Sequence, residues 1–359
     1  KCELKKITIP LKVVFAQTLE YLLLILYTCS ILLVCGACGE GEPLPPEVFP
    51  ASDVLRIVSV RTGNTLTRSV TTTVETDGDS ISIYAIRQSD QSEYLPLDGT
   101  NPATYGYSSS STLWKVSDPA RQLRLPKSGS LSVYAWHPSD DRLLPVYQSG
   151  GNTYLSGINV LSSDDFSATN QADYLYPASP ATVSLASPAA TFTLKHALAK
   201  LTFKVYKLSS LTDEMILTGI QIRDYSTTLQ TGTDKGMLLK DGTFQGLNGV
   251  STLTLTATEA QRAAILKKED ETPGGTVTAS PFCLVAPAPG VEYLSFQLTT
   301  LTGGQEQTFL TQQADFSGRR WKAGEHHVIT IVLDGMKATI TGIQVYQWGD
   351  YNDTHLPIS

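Results

Sequence analysis

Leu131-Ser132-Val133-Tyr134-Ala135-Trp136 alternates along its length and stops short of Pro138. Thr252-Leu253-Thr254-Leu255-Thr256 repeats the pattern, and Leu201, Phe203 and Val205 alternate with Thr202 and Lys204. A period of two is the mark of a β-strand with one face buried, because successive side chains leave the strand on opposite sides. The same text recurs outward in both directions. It runs through residues 54–60, through Ile81 to Ile86 after the turn Asp77-Gly78-Asp79, and through Ile220 and Ile222. Leu294, Phe296 and Leu298 follow, then residues 328–333 and 340–348. The fold expected is all-β. One stretch departs: Thr258-Glu259-Ala260-Gln261-Arg262-Ala263-Ala264-Ile265-Leu266 has a Thr cap and good helix formers, and predicts one short helix.

The chain has 359 residues, enough for two domains and for cores that need no disulfide staples. Charged residues make up 17%, below the usual ~25%, which argues against disorder and against a coiled coil. The Ala-, Ser- and Pro-rich residues 178–190 are expected to connect the domains. That gives Greek-key β-sandwiches over residues 54–190 and 191–351, with a polar tail at 352–359. Net charge is −7, and −9 without residues 1–37. An acidic chain without a Lys/Arg cluster is a poor partner for nucleic acid or anionic lipid.

The first 53 residues read differently. Lys1, Lys5, Lys6 and Lys12 precede an apolar run from Tyr21 to Cys35, broken only by Thr28 and Ser30. The run is shorter than the ~20 residues of a spanning helix and predicts a signal peptide over residues 1–37. An uncleaved membrane anchor is the competing reading. Gly36-Ala37-Cys38 resembles a bacterial lipoprotein box, which makes Cys38 the lipidated residue. Cys35 stands where that pattern has Leu, and is the alternative. Residues 38–53 read as a proline-rich tether, and the acidic residues just after Cys38 resemble a surface-export signal of Bacteroidales lipoproteins.

Candidate chemistry is sparse. Four of the five Cys lie in the first 38 residues, so Cys283 stands alone in an apolar strand, where a buried inert thiol is expected. His326 and His327 are adjacent in a strand and point to opposite faces, so they cannot share a metal. His196 has no second ligand beside it and reads as structural. Asp77-Gly78-Asp79 lacks the downstream Glu of a calcium loop and reads as a turn. Ser139-Asp140-Asp141 and Ser163-Asp164-Asp165 read as solvated loop acids, and Asn352-Asp353-Thr354 as a chance glycosylation match. No nucleophile elbow, phosphate loop or dinucleotide motif occurs, although a carboxylate pair for glycoside hydrolysis is available in any acidic chain. No cofactor is expected.

Several segments share an order with a known family. Thr67-Arg68-Ser69 precedes Asp79-Ser80-Ile81-Ser82-Ile83-Tyr84-Ala85. Val133-Tyr134-Ala135-Trp136-His137-Pro138, Asp173-Tyr174-Leu175-Tyr176 and His196-Ala197-Leu198-Ala199-Lys200-Leu201 follow. Trp321-Lys322-Ala323-Gly324 leads into the strand at 328–333, and Trp348 lies near the end. Over residues 54–353 the chain resembles the Bacteroidales fimbrillin family, the Mfa-like and FimA-type subunits of surface fimbriae. The resemblance implies two tandem transthyretin-like sandwiches and a lipoprotein precursor exported to the outer membrane. It implies an Arg-specific protease that removes the first strand, and a neighbouring subunit whose strand fills the opened groove.

Carried onto this sequence, the removable strand is residues 54–60, with Val54, Ile57 and Val60. The candidate cleavage sites are Arg68 and Arg61, both placed after that strand. Residues 340–348 are either a donor strand or the last strand of their own domain. The partners implied are other subunits, the protease, outer-membrane lipid through Cys38, and a host or bacterial surface ligand. Two further readings stand beside the fimbrial one. The first is a monomeric lipid-anchored glycan-binding protein, with Trp114 and Trp136 as stacking candidates, although the alternating strand around Trp136 favours burial. The second is a surface hydrolase.

Overall fold

In the computed structural model, residues 53–63, 75–95, 99, 102–270, 280–335 and 337–348 are described. The alternating stretches form strands, and apart from three short 3-10 turns the described residues are β-strand or loop. The first layer contains β1 (Arg56–Thr62), an edge strand. Facing it is a sheet built on β2 (Ser80–Arg87), β3 (Ala103–Ser108), β4 (Leu113–Val116) and β5 (Leu131–Trp136). Then come β6 (Tyr154–Val160), β7 (Leu175–Pro177), β8 (Ala181–Val183) and β9 (Ala189–His196). One sheet orders as β8-β5-β2-β3-β4 and the other as β1-β9-β7. Ile81, Ile83, Leu131 and Val133 on the first meet Ile57, Val60, Phe192 and Leu194 on the second in one apolar cluster.

The second half repeats this with longer strands. They are β10 (Ala199–Lys207), β11 (Met215–Asp224), β12 (Leu229–Leu238), β13 (Thr252–Thr256), β14 (Phe282–Val285), β15 (Tyr293–Thr302), β16 (Gln305–Leu310), β17 (Glu325–Asp334) and β18 (Lys337–Gln347). One sheet runs β10-β17-β18, with β14 also paired to β10. The other runs β16-β15-β11-β13 and ends on the short strand Ser163–Asp165. Phe203, Ile220, Phe296 and Ile329 are among the side chains buried between them. A third cluster, with Trp136, Leu155, Ile158, Met237 and Leu284, lies under the sheet of β6 and β12. The described residues, all from Asp53 onward, form one compact unit. Among the described residues no helix is long and apolar enough to cross a membrane.

Two expectations fail here for identifiable reasons. Residues 258–266 do not form a helix. Thr258 and Gln261 do make the reciprocal cap, but only the 3-10 turn Glu259–Gln261 follows. Ala263 and Ala264 then pair with Leu217 and Ile216 on the open edge of β11, and Ile265 donates its N–H to Met215. A sheet edge with unpaired backbone groups outcompetes local helix propensity. Residues 178–190 are not a bare connection either. β8 pairs with β5, Ser184 and Ser187 close a tight turn, and β9 begins at Ala189. β9 runs through residue 190 and buries Ala190, Phe192 and Leu194 in the first cluster.

Candidate functional site

The arrangement that bears on function is the seat of β1. This strand pairs with β9 in parallel, Ile57 opposite Ala190 and Val60 opposite Phe192. Parallel pairing cannot be made by a hairpin, so β1 is joined to its partner only through distant sequence. A bulge at Val58 shifts the register. An extra residue turns the following side chain to the other face. The core anchors are therefore Leu55, Ile57 and Val60, at 1%, 3% and 0% exposure, while Val58 stands 60% exposed. Val54 is only half-buried, bridged to Arg124, so its neighbour Leu55 takes the anchoring place expected of it.

Both flanks of the strand are fastened. The Leu55 N–H donates to Leu123 O at 2.9 Å and Gly63 N–H to Leu194 O at 2.8 Å. On the open edge, Val60 N–H donates to Glu75 Oε1 at 3.0 Å. A carboxylate there satisfies a donor that a neighbouring strand would otherwise take. Gly63 lies so close to β9 that a Cβ would sit 2.3 Å from Thr193 Cγ2.

β18 is the other edge strand of interest. It pairs antiparallel with β17 from Lys337 to Gln347 and carries a bulge at Thr341. Ala338 is buried, Ile340 and Ile343 are partly buried against the second cluster, and Val345 is 40% exposed. Its apolar face reads Ala338, Ile340, Ile343, Val345. The face of β1 reads Leu55, Ile57, Val60, Thr62. The steps are two, three and two in both, and the bulge falls at the same step. Just beyond β18, the Trp348 ring stacks on His196 with centroids 4.0 Å apart.

The other singled-out residues take ordinary places. Cys38 and Arg68 lie outside the described residues. Arg61 does not follow the first strand but lies within it, opposite Thr193 in the ladder, because β1 runs on to Thr62. His196 Nδ1 meets the Asp173 carboxylate at 2.8 Å. His326 Nε2 meets Thr202 Oγ1 at 2.8 Å, and His327 Nε2 meets Glu325 Oε2 at 3.2 Å, so the two rings have separate partners. Burial, then the Lys200 charge, pushes His326 down to about 3, and burial also lowers His327. Cys283 is buried, and burial followed by the charge of Asp164 pushes its thiol up.

Asp77 accepts from Ser109 N–H at 2.6 Å in a turn. The loop acids are not simply solvated. Ser163–Asp165 pairs with β13, Asp165 accepts from Ser167 N–H, and Asp140 is clasped by Arg142. Trp114 and Trp136 are buried, so neither offers a face to a sugar. Among the described residues no group of three or more His, Cys, Asp or Glu is placed to hold a metal ion. The bulges, Leu55 and Glu75 were missed from sequence. The available signals were the three-residue steps from Ile57 to Val60 and from Ile340 to Ile343.

A family described as fimbrillin-like matches residues 67–348. Among solved structures, a candidate cell adhesion protein from Bacteroides uniformis ATCC 8492 is similar at 15% identity, with a TM-score of 0.51 over 83% of this chain and 99% of that one. A second candidate cell adhesion protein, from Bacteroides ovatus ATCC 8483, shares 13% identity and a TM-score of 0.54 over 83% and 98%. A fimbrial protein from Bacteroides vulgatus ATCC 8482 shares 14% identity and a TM-score of 0.48 over 82% and 99%. The first two show a shared fold. No curated protein sequence matches.

Proposed function

The chain belongs to the fimbrillin-like family, and from that membership we propose that it is a structural subunit of a bacterial surface fimbria, assembled by exchange of an edge strand. In this reading Cys38 carries the lipid that takes the precursor to the outer membrane. An Arg-specific protease then cuts in the segment after β1. Arg68 is the better candidate, because the backbone at Arg61 is held in the ladder with β9 and a paired backbone resists proteolysis. Loss of β1 empties the places of Leu55, Ile57 and Val60 and opens the edge of β9. Each anchor is worth about 1.5–3 kcal/mol of burial, so the opened groove is strongly driven to refill.

The observation that carries the proposal is the shared spacing of β1 and β18. A strand from a second copy, lying parallel to β9, places Ile340 where Ile57 was, Ile343 where Val60 was, and Val345 beside Leu194, with the bulge kept. An extended strand supplies ladder bonds and alternate side-chain anchors together. In this reading the edge of β9 provides the groove and β18 the strand. The test is N-terminal sequencing of the surface form, with SDS-resistant laddering checked on the same sample. A start at Ser69 with a ladder is expected. A start at a lipidated Cys38 with monomer alone would sink the exchange reading.

A further inference from the structure

A cleft of about 350 Å³ opens between the turn after Pro138, β6 and β12, and uses no residue of β1 or β18. We propose that it is a binding site for a neutral sugar ring. Its volume lies at the small end of the ~300–1,000 Å³ range of ligand pockets, which suits one compact ligand.

The walls are built rather than incidental. β12 breaks register twice opposite β6, between Gly232 and Lys235 and again between Lys235 and Met237. The bulged Asp234 holds a φ of 51°. Such backbone persists only where surroundings enforce it, and bulges re-aim side chains beside binding sites. Here the enforcing group is Asn159, whose Oδ1 accepts the Asp234 N–H at 3.1 Å. Asn159 is itself fixed, because Tyr174 OH donates to its carbonyl at 3.1 Å and accepts its N–H at 3.0 Å. The bulge sets Thr233 in the cleft wall. On the opposite side Gly157, at φ 77°, lets the chain at Arg142 approach so closely that a Cβ would lie 2.2 Å from Arg142 O.

The polar groups left over define the ligand. Asp140 takes Arg142 Nε at 3.1 Å and Nη2 at 2.6 Å, which leaves Nη1. Asn159 spends Oδ1 and leaves Nδ2. Asn170 spends Nδ2 on Asp164 at 2.8 Å and leaves Oδ1. Thr233 leaves its hydroxyl. Residues with spare donors and an acceptor thus line one cleft, which fits hydroxyls, since a hydroxyl both gives and accepts. The ion pair cancels the charge of Arg142, so an anion gains little there. Leu143 and Leu161 supply an apolar floor for the C–H face of a ring.

The test is saturation-transfer difference NMR on the full chain with galactose, glucose, mannose, fucose and N-acetylglucosamine, and with sialic acid as the anionic probe. Signal from at least one neutral sugar and none from sialic acid is expected. Arg142→Gln and Thr233→Val, neither of which anchors a core, should each weaken binding roughly fivefold, the loss of about one hydrogen bond. Their melting curves should stay unchanged. Silence from every neutral sugar, a preference for sialic acid, or undiminished binding in both variants would overturn the assignment.

Discussion

The two edge strands β1 and β18 carry the same apolar spacing and the same bulge, yet they are held very differently. β1 buries all three of its anchors and has a side-chain carboxylate on its open edge. β18 buries only Ala338 and leaves Val345 half in solvent, although its ladder with β17 is longer. Backbone pairing alone does not make a strand costly to lose; the side chains that enter the core do. The proposed exchange sets a shallow edge of one copy in the place of a deeply seated edge of the next.

The sharpest way to break this contrast is a charge. Val60→Asp should cost roughly 4 kcal/mol or more by urea unfolding, because it leaves an unpaired carboxylate in the first core. Val345→Asp should change stability by about 0.5 kcal/mol or less. Equal losses would end the distinction. Truncation is a milder version. Ile57→Ala should cost about 2–5 kcal/mol and Ile343→Ala clearly less, since the latter side chain is only partly buried. Gly63→Ala tests the close approach to β9 and should cost about 1–3 kcal/mol through overpacking against Thr193.

Two further effects sharpen the comparison. Acid should act on β17, the strand that holds β18. His326 sits near 3 when folded and at 6.5 unfolded. The unfolded chain therefore binds the proton first, and stability falls as pH drops below about 6.5. The slope is at most ~1.4 kcal/mol per pH unit per histidine. His326→Gln should flatten that slope in denaturant titrations between pH 6.5 and 4. Glu75→Gln, last, should cost about 0.5–1.5 kcal/mol and speed amide exchange at Val60. Unchanged exchange there would remove Glu75 from the account of the edge.

The all-β class was legible because alternation is a local property, and stretches such as residues 131–136 and 252–256 keep it without interruption. What stayed hidden was non-local. A bulge is a relation between two strands, so Val58 gave no sign that Leu55 rather than Val54 faces the core. The 3-10 turn at Glu259–Gln261 carries real helix signals, and only the open edge of β11 cuts it short. Alternation already favoured burial of Trp136, whereas Trp114 looked available for ligands because sequence does not show what lies above a strand face. The cleft beside β6 drew no notice for the same reason. Asp140 and Arg142 are two residues apart, but Asn159, Asn170 and Thr233 meet them only in the fold.

The parallel pairing of β1 with β9 also has a consequence in time. The two strands are separated by more than a hundred residues of sequence, including the whole opposing sheet. A chain emerging from its N-terminus delivers Leu55, Ile57 and Val60 long before Phe192 and Leu194 exist to receive them. Contacts so distant in sequence close late, after the loop between them has been ordered. Among the described residues, the first strand thus waits for the last strand of its own half before it can dock.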